Sequence, residues 1–132
     1  MDAPAYPLFL SLRDSICLVA GFGSVGRRKV AGLLACAPAA VHVFDLREPD
    51  DDEGRALLRH DVVRFHARAC TEDDLRPCRL VFAATGSRAE NARIAALCAR
   101  LGLLCNCVDA PEEGTFIVPA VARTERLAAA LS

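Results

Sequence analysis

An α/β fold, a parallel sheet with helices on both faces, is predicted by three features of the sequence. Short apolar runs of strand length alternate with segments of helical spacing, the pattern of successive strand–helix–strand units. The first run, Ile16-Cys17-Leu18-Val19-Ala20, passes directly into Gly21-Phe22-Gly23-Ser24-Val25-Gly26, which has the G-x-G-x-x-G spacing. The next run, Ala39-Ala40-Val41-His42-Val43-Phe44, ends on Asp45, nineteen residues beyond Gly26. Strand, glycine turn, helix, strand and terminal acid in this order make up a Rossmann-like dinucleotide site.

Each part of that unit has a physical task. Gly21 allows the tight turn, Gly23 lets the backbone approach a pyrophosphate, and Gly26 lets the helix pack closely on the strand. The free N–H groups of the first helical turn and the helix dipole then hold the phosphate charge. Asp45 stands where it can accept hydrogen bonds from an adenine ribose, and its charge would repel a 2′-phosphate. NAD is therefore expected over NADP, although Arg47 lies close enough to offer a counter-charge.

The remaining elements follow in order. Tyr6 to Leu12 alternates moderately and is expected to form a first, edge strand, with Arg13-Asp14 turning into the central unit. Val30, Leu33 and Leu34 give the first helix its apolar stripe. Arg27-Arg28-Lys29 is read as its solvated face rather than as an anion site. Five acids around Pro49 make a solvated loop, followed by a short helix over 55–59. Val62 to His66 is a third strand, and no partner is identifiable for His60 or His66. Thr71-Glu72-Asp73-Asp74 carries helix-capping chemistry.

Cys78 to Ala84 is the next strand, and the small residues Thr85-Gly86 at its carboxyl end let a nicotinamide ribose lie near the backbone. Ser87 and Glu90 predict a capping box, and Gly102 closes a helix whose inward residues are Ile94, Ala95, Leu97, Cys98 and Leu101. Leu103 to Val108 forms a fifth strand, with Asp109 at the carboxyl end where ligands of open parallel sheets bind. Residues 1–112 are expected to form the nucleotide domain and 113–132 an extended segment. Within it, Thr115 to Pro119 and Arg126 to Leu131 have nothing after them to cover them. That suggests a second copy of the chain, hence a homodimer, or a truncated parent.

Composition narrows the class. A chain of 132 residues suits one domain, and 53% hydrophobic residues can fill a sizeable core. A net charge of −1 without a dense basic run argues against nucleic acid. No apolar stretch approaches the ~20 residues of a membrane span, and no signal pattern precedes the first strand, so a soluble, cytoplasmic protein is expected. The seven cysteines are odd in number and sit mostly inside apolar runs, as small hydrophobes do. Cys105 and Cys107 share a strand face, but no converging histidine or second cysteine pair accompanies them, so no metal site is expected.

Beyond the glycine motif, the ordered pieces resemble the NAD-dependent precorrin-2 dehydrogenase family, the first module of siroheme synthases. The matching stretches are Tyr6-Pro7-Leu8-Phe9-Leu10-Ser11-Leu12 and Arg28-Lys29, then Phe82-Ala83-Ala84-Thr85-Gly86 and Asn91. They continue with Cys105-Asn106-Cys107-Val108-Asp109-Ala110-Pro111 and end at Phe116-Ile117-Val118-Pro119-Ala120. The resemblance implies oxidation of precorrin-2 to sirohydrochlorin in tetrapyrrole biosynthesis, with NAD⁺ as hydride acceptor. By the same likeness Ser24, Val25, Asp45, Leu46 and Thr85 line the cofactor, Asp109 is catalytic, and Asn106 lies among the substrate-binding residues. Arg123 and Arg126 are the obvious counter-charges for a substrate rich in carboxylates. Ferrochelatase activity, which some members add, is not expected of so short a chain. A non-catalytic NAD(H)-sensing module is the alternative, and the stretch from Asn106 to Pro119 argues against it.

Overall fold

The sheet is built outwards from β1 (Ile16–Ala20), whose residues are apolar on both sides. Cys17 and Val19 face one layer and Leu18 and Ala20 the other, all four buried, as the two-residue period of a central strand requires. The computed structural model describes residues 3–123 and 128–131, with side chains up to residue 119. From β1 the chain runs outwards through α1 (Ser24–Leu34), β2 (Ala40–Phe44), α2 (Asp52–Leu58) and β3 (Val63–His66). It then crosses back by α3 (Glu72–Leu75) to β4 (Leu80–Ala83) on the other side of β1, and by α4 (Arg88–Leu101) to β5 (Leu104–Cys107). The sheet order is β3-β2-β1-β4-β5, and every neighbouring pair is parallel. The order therefore reverses between β1 and β4, which opens a crevice at the carboxyl ends of those strands.

Two cores fill the space between sheet and helices. Val30 and Leu33 of α1 pack with Cys17, Val19, Val41, Val43 and Phe82, while Leu57 and Leu58 of α2 cover the same face. Leu75 of α3 and Ile94, Ala95 and Cys98 of α4 pack on the opposite face, against Leu18, Val81, Cys105 and Cys107. The spacing of the α4 residues is the apolar stripe expected from the sequence. Gly102 ends α4 in the left-handed region, at φ 72°. None of the seven cysteines is in a disulfide, and five of them (Cys70, Cys78, Cys98, Cys105 and Cys107) belong to this second core. Burial raises the Cys78 thiol to about 12, so it stays protonated, as a small hydrophobe should.

Three local expectations are corrected. Tyr6 to Leu12 is not a strand: only Leu12 enters the core, while Tyr6, Leu8 and Phe9 are exposed. Ser87 does cap α4, accepting from the Glu90 amide at 3.2 Å, but Glu90 completes no capping box because Arg93 holds its carboxylate at 2.6 and 2.7 Å. His66 has a partner, since its Nε2 lies 2.9 Å from Nδ1 of His42 on the neighbouring strand.

Beyond β5 a short 3-10 turn, Pro111–Glu113, returns the chain along the sheet edge. There the Thr115 amide donates to the Cys105 carbonyl at 2.7 Å, and Phe116 packs edge-on against Phe82. β6 (Ala120–Arg123) and β7 (Ala128–Leu131) pair with each other, antiparallel, as a separate two-stranded sheet. The extended segment thus has its regular strands later than Thr115–Pro119, and Arg126 lies outside the described residues.

Candidate functional site

The glycines of the first turn make the crevice possible. At Gly21 (φ 101°) a side chain would run into the Ala84 carbonyl of the adjacent strand end, and at Gly26 into the Gly21 carbonyl. Those two glycines bring β1, α1 and β4 together. Gly23 differs, because a Cβ there would meet nothing within 4 Å. It faces open space at the mouth of α1, which leaves the backbone free for a close ligand.

Around this turn lies a cleft of about 660 Å³ at the carboxyl end of the sheet. Gly21, Gly23, Ser24 and Val25 form its floor, Asp45 and Leu46 one wall, and Thr85 the opposite one. The structure therefore brings together every residue expected at the cofactor from the sequence except Gly26, which lies beneath, buried between helix and turn. α1 begins at Gly23 without a side-chain cap and without an acid in its first turn. Its first N–H groups have no intrahelical acceptor and point at the cleft, so the donors and the helix dipole suit a diphosphate. The chain thus fits a dinucleotide on its own geometry.

The walls are tied down. Asp45 accepts from the Phe22 amide at 2.8 Å and from the Arg47 amide at 3.2 Å, so the second strand end holds the glycine turn in shape. On the other side Asn91, fully buried in α4, clamps Thr85. Its Oδ1 accepts from the Thr85 amide at 3.0 Å and hydroxyl at 2.6 Å, and its Nδ2 donates to the Thr85 carbonyl at 3.1 Å. The signal for Asn91 was readable: it shares the apolar stripe of Ile94, Ala95 and Cys98, where an amide must find partners.

The basic cluster of α1 is less solvated than expected. Arg28 alone is exposed; Lys29 lies over the Phe82 ring, and Arg27 holds Asp51 through two hydrogen bonds at 2.5 and 2.7 Å. Arg27 also donates to the Phe22 carbonyl at 2.9 Å and sits over the Phe22 ring. It braces the turn from behind and belongs to the scaffold. The hydrogen bonds from Arg27 hold the Asp51 carboxyl down to about 2, against an opposing desolvation.

Asp109 stands just past β5, next to the cleft residue Val108 but outside the cleft wall itself. Its Oδ1 accepts from Arg88 at 2.6 Å and from the Cys107 thiol at 3.5 Å. Arg88 also pairs with Glu113. Partial desolvation works against the charge on Asp109, but hydrogen bonds from Asn91 and Cys107 and the Arg88 cation outweigh it. The carboxyl is held below its ordinary range, so at neutral pH it is an ionised acceptor. Asn106 is buried on the other face of β5 and donates to the Phe116 carbonyl at 3.2 Å. Arg123 closes β6, with its backbone alone described.

A parallel 3-2-1-4-5 sheet, a glycine turn and an uncapped helix at the switch point define a dinucleotide-binding domain. The chain belongs to the NAD(P)-binding family whose model, described as "Putative NAD(P)-binding", matches residues 8–120. It is similar to the siroheme synthase of Methylococcus capsulatus, 38% identical over 115 residues, which is 87% of this chain and 24% of that protein. It is likewise similar to the siroheme synthase of Pseudomonas entomophila, 39% identical over 127 residues, covering 96% of this chain and 27% of that one. The chain thus spans about a quarter of the length of these curated relatives. Among solved structures, SirC, a precorrin-2 dehydrogenase, superposes with a TM-score of 0.75 at 23% identity, over 97% of this chain and 61% of that chain. That likeness is one of fold. Among the described residues, no helix is long and apolar enough to cross a membrane.

Proposed function

We propose that this chain is an NAD-dependent dehydrogenase module that oxidises precorrin-2 to sirohydrochlorin. The observation that carries the reading is an ionised carboxylate, Asp109, at the strand end next to a dinucleotide cleft, on the edge where the nicotinamide end belongs. The likeness to siroheme synthases and to SirC supports the substrate class. Bound NAD⁺ would supply the hydride acceptor. The chain's own residues do the rest: the first turn of α1 binds the diphosphate, Asp45 accepts from the adenine ribose, and the Asn91 clamp keeps Thr85 against the nicotinamide ribose. Removing two hydrogens from the tetrapyrrole as hydride and proton also requires a proton acceptor, and Asp109 takes that proton. Asp45 favours NAD over NADP by charge.

Arg123 and Arg126 are read as counter-charges for substrate carboxylates, and Asn106 as a substrate-side residue. We further read the protein as cytoplasmic, in keeping with seven cysteines outside any disulfide, and as a homodimer through residues 113–132. One experiment tests the reading: NADH formation from precorrin-2 and NAD⁺, on protein whose mass by light scattering is expected to be twice that of the chain. Asp109→Asn is expected to lower turnover by ~10²-fold or more while leaving NAD⁺ affinity within about threefold. Full turnover in the variant would remove Asp109 from the chemistry. Tight NAD⁺ binding with no turnover in either protein would make the chain a binding module.

A further inference from the structure

The cluster at the carboxyl end of β5 contains a residue for which the cofactor site has no use. Arg88 is the first residue of α4, where a cation meets the positive end of the helix dipole. That placement is unfavourable unless something offsets it. Two carboxylates do: one guanidinium nitrogen lies 2.6 Å from Asp109 Oδ1, and the other pairs with Glu113 on the 3-10 turn. The second nitrogen also lies 3.6 Å from the Cys107 thiol, which in turn donates to Asp109. Asp109 is therefore surrounded by Arg88 and Asn91 from α4, Cys107 from β5 and Glu113 from the turn, and only Arg88 among them is positive.

We propose that Arg88 is the positioning residue for Asp109: it fixes the orientation and charge of that carboxylate, and Glu113, by sharing the guanidinium, sets how strongly. This rests on the reading of Asp109 as the proton acceptor. The geometry supports a tuning role because Arg88 is a bridge with two ends. Its removal leaves Asp109 facing Glu113 without a cation, so Asp109 holds its proton more tightly. Removal of the Glu113 charge has the opposite effect, leaving the whole cation to Asp109. A bridge that only held the turn in place would not give two opposite signs. Because all three side chains are about two-fifths exposed, solvent screening keeps the effect modest.

The test uses the full chain with Arg88→Met, Arg88→Lys, Glu113→Gln and Asp109→Asn. Two quantities are measured: the carboxyl titration of Asp109 by carbon-13 NMR, and the acid limb of kcat/KM for NADH formation. Arg88→Met is expected to move both upwards by about one pH unit, Arg88→Lys to restore about half, and Glu113→Gln to move both downwards. Unchanged titration in Arg88→Met, or Glu113→Gln shifting in the same direction as Arg88→Met, would overturn the proposal. If Arg88→Met does not fold, the sign of the Glu113→Gln shift decides. Full activity in Asp109→Asn would sink the catalytic reading instead, while the NMR titration would still decide whether Arg88 governs the carboxylate.

Discussion

Among the described residues four α-helices follow the carboxyl ends of strands, and their first turns fall into two kinds. α2, α3 and α4 are capped from their own sequence: Asp51 accepts from the Gly54 amide, Thr71 from Asp74 and Ser87 from Glu90. Each also has an acid in its first turn. α1 has neither, beginning at a glycine with no side chain to offer. A glycine in place of a capping side chain costs only about a few tenths of a kcal/mol, so the helix nearest the sheet centre gives up little stability by leaving one out. The omission leaves donors and dipole for a ligand's charge, and it falls on the helix at the switch point.

The comparison breaks most sharply at the glycines. Gly26→Ala would drive a methyl into the Gly21 carbonyl, a backbone atom that cannot swing aside. It is expected to abolish the cooperative thermal transition or lower it by more than 10 °C, with loss of NAD(H) binding in calorimetry. Gly23→Ala meets nothing within 4 Å and its φ is −79°, so the fold should be kept within about 2 °C. Its methyl occupies the approach to the α1 amides, and NAD(H) affinity should fall by tenfold or more, ~1.4 kcal/mol. Equal thermal loss in both variants would mean the motif is only a packing device.

What could be read from the sequence was local. The β1 turn, the caps at Thr71 and Ser87 and the stop at Gly102 are each written within a few consecutive residues, where spacing alone dictates geometry. Omissions and misreadings arose where only the folded sheet brings residues together. Arg88 lies 21 residues from Asp109 and 25 from Glu113, and its sole local hint was a cation at a helix start. His42 and His66 meet because β2 and β3 are neighbours in parallel register. Tyr6 to Leu12 has a strand's alternation without a strand's neighbour: β3 and β5 are the sheet edges, and the segment pairs with neither.

A smaller effect is expected at the opposite wall of the cleft. Asp45 accepts from the Phe22 and Arg47 amides, so its carboxylate both shapes the turn and presents charge to the adenine ribose. Asp45→Ala should weaken NAD(H) about tenfold, by removing a ribose acceptor and loosening Phe22, while NADP(H) loses less because repulsion of its 2′-phosphate disappears. The preference for NAD should therefore narrow. Calorimetric titration of both cofactors checks it, and equal affinities in the unmodified protein would end the assignment of selectivity to Asp45.

The capped helices supply the converse, with the smallest effect. Thr71 starts α3 with a reciprocal box: its hydroxyl accepts from the Asp74 amide, and the Asp74 carboxylate accepts from the Thr71 amide at 2.7 Å. Hydrogen bonds from Arg68 hold that carboxyl below its ordinary range, against some desolvation, and the Thr71 amide and hydroxyl add to the effect. Thr71→Ala removes the hydroxyl alone and should cost about 1 kcal/mol, or ~3–6 °C, with NAD(H) affinity within about twofold. Because the Asp74 carboxyl is lowered in the folded chain, its contribution is complete above the unfolded value near ~4, declines below it and is gone only once pH has fallen through the lowered folded value. Part of the Thr71 hydroxyl's contribution passes through Asp74, which stays ionised in the folded chain at pH ~3, so the variant's deficit should be the same at pH ~7 and pH ~3 and shrink only at still lower pH. Thermal melts at both pH values measure this. A variant that melts normally but loses NAD(H) tenfold would show that α3 serves the ligand too, and the division between capped and uncapped helices would no longer mark the site.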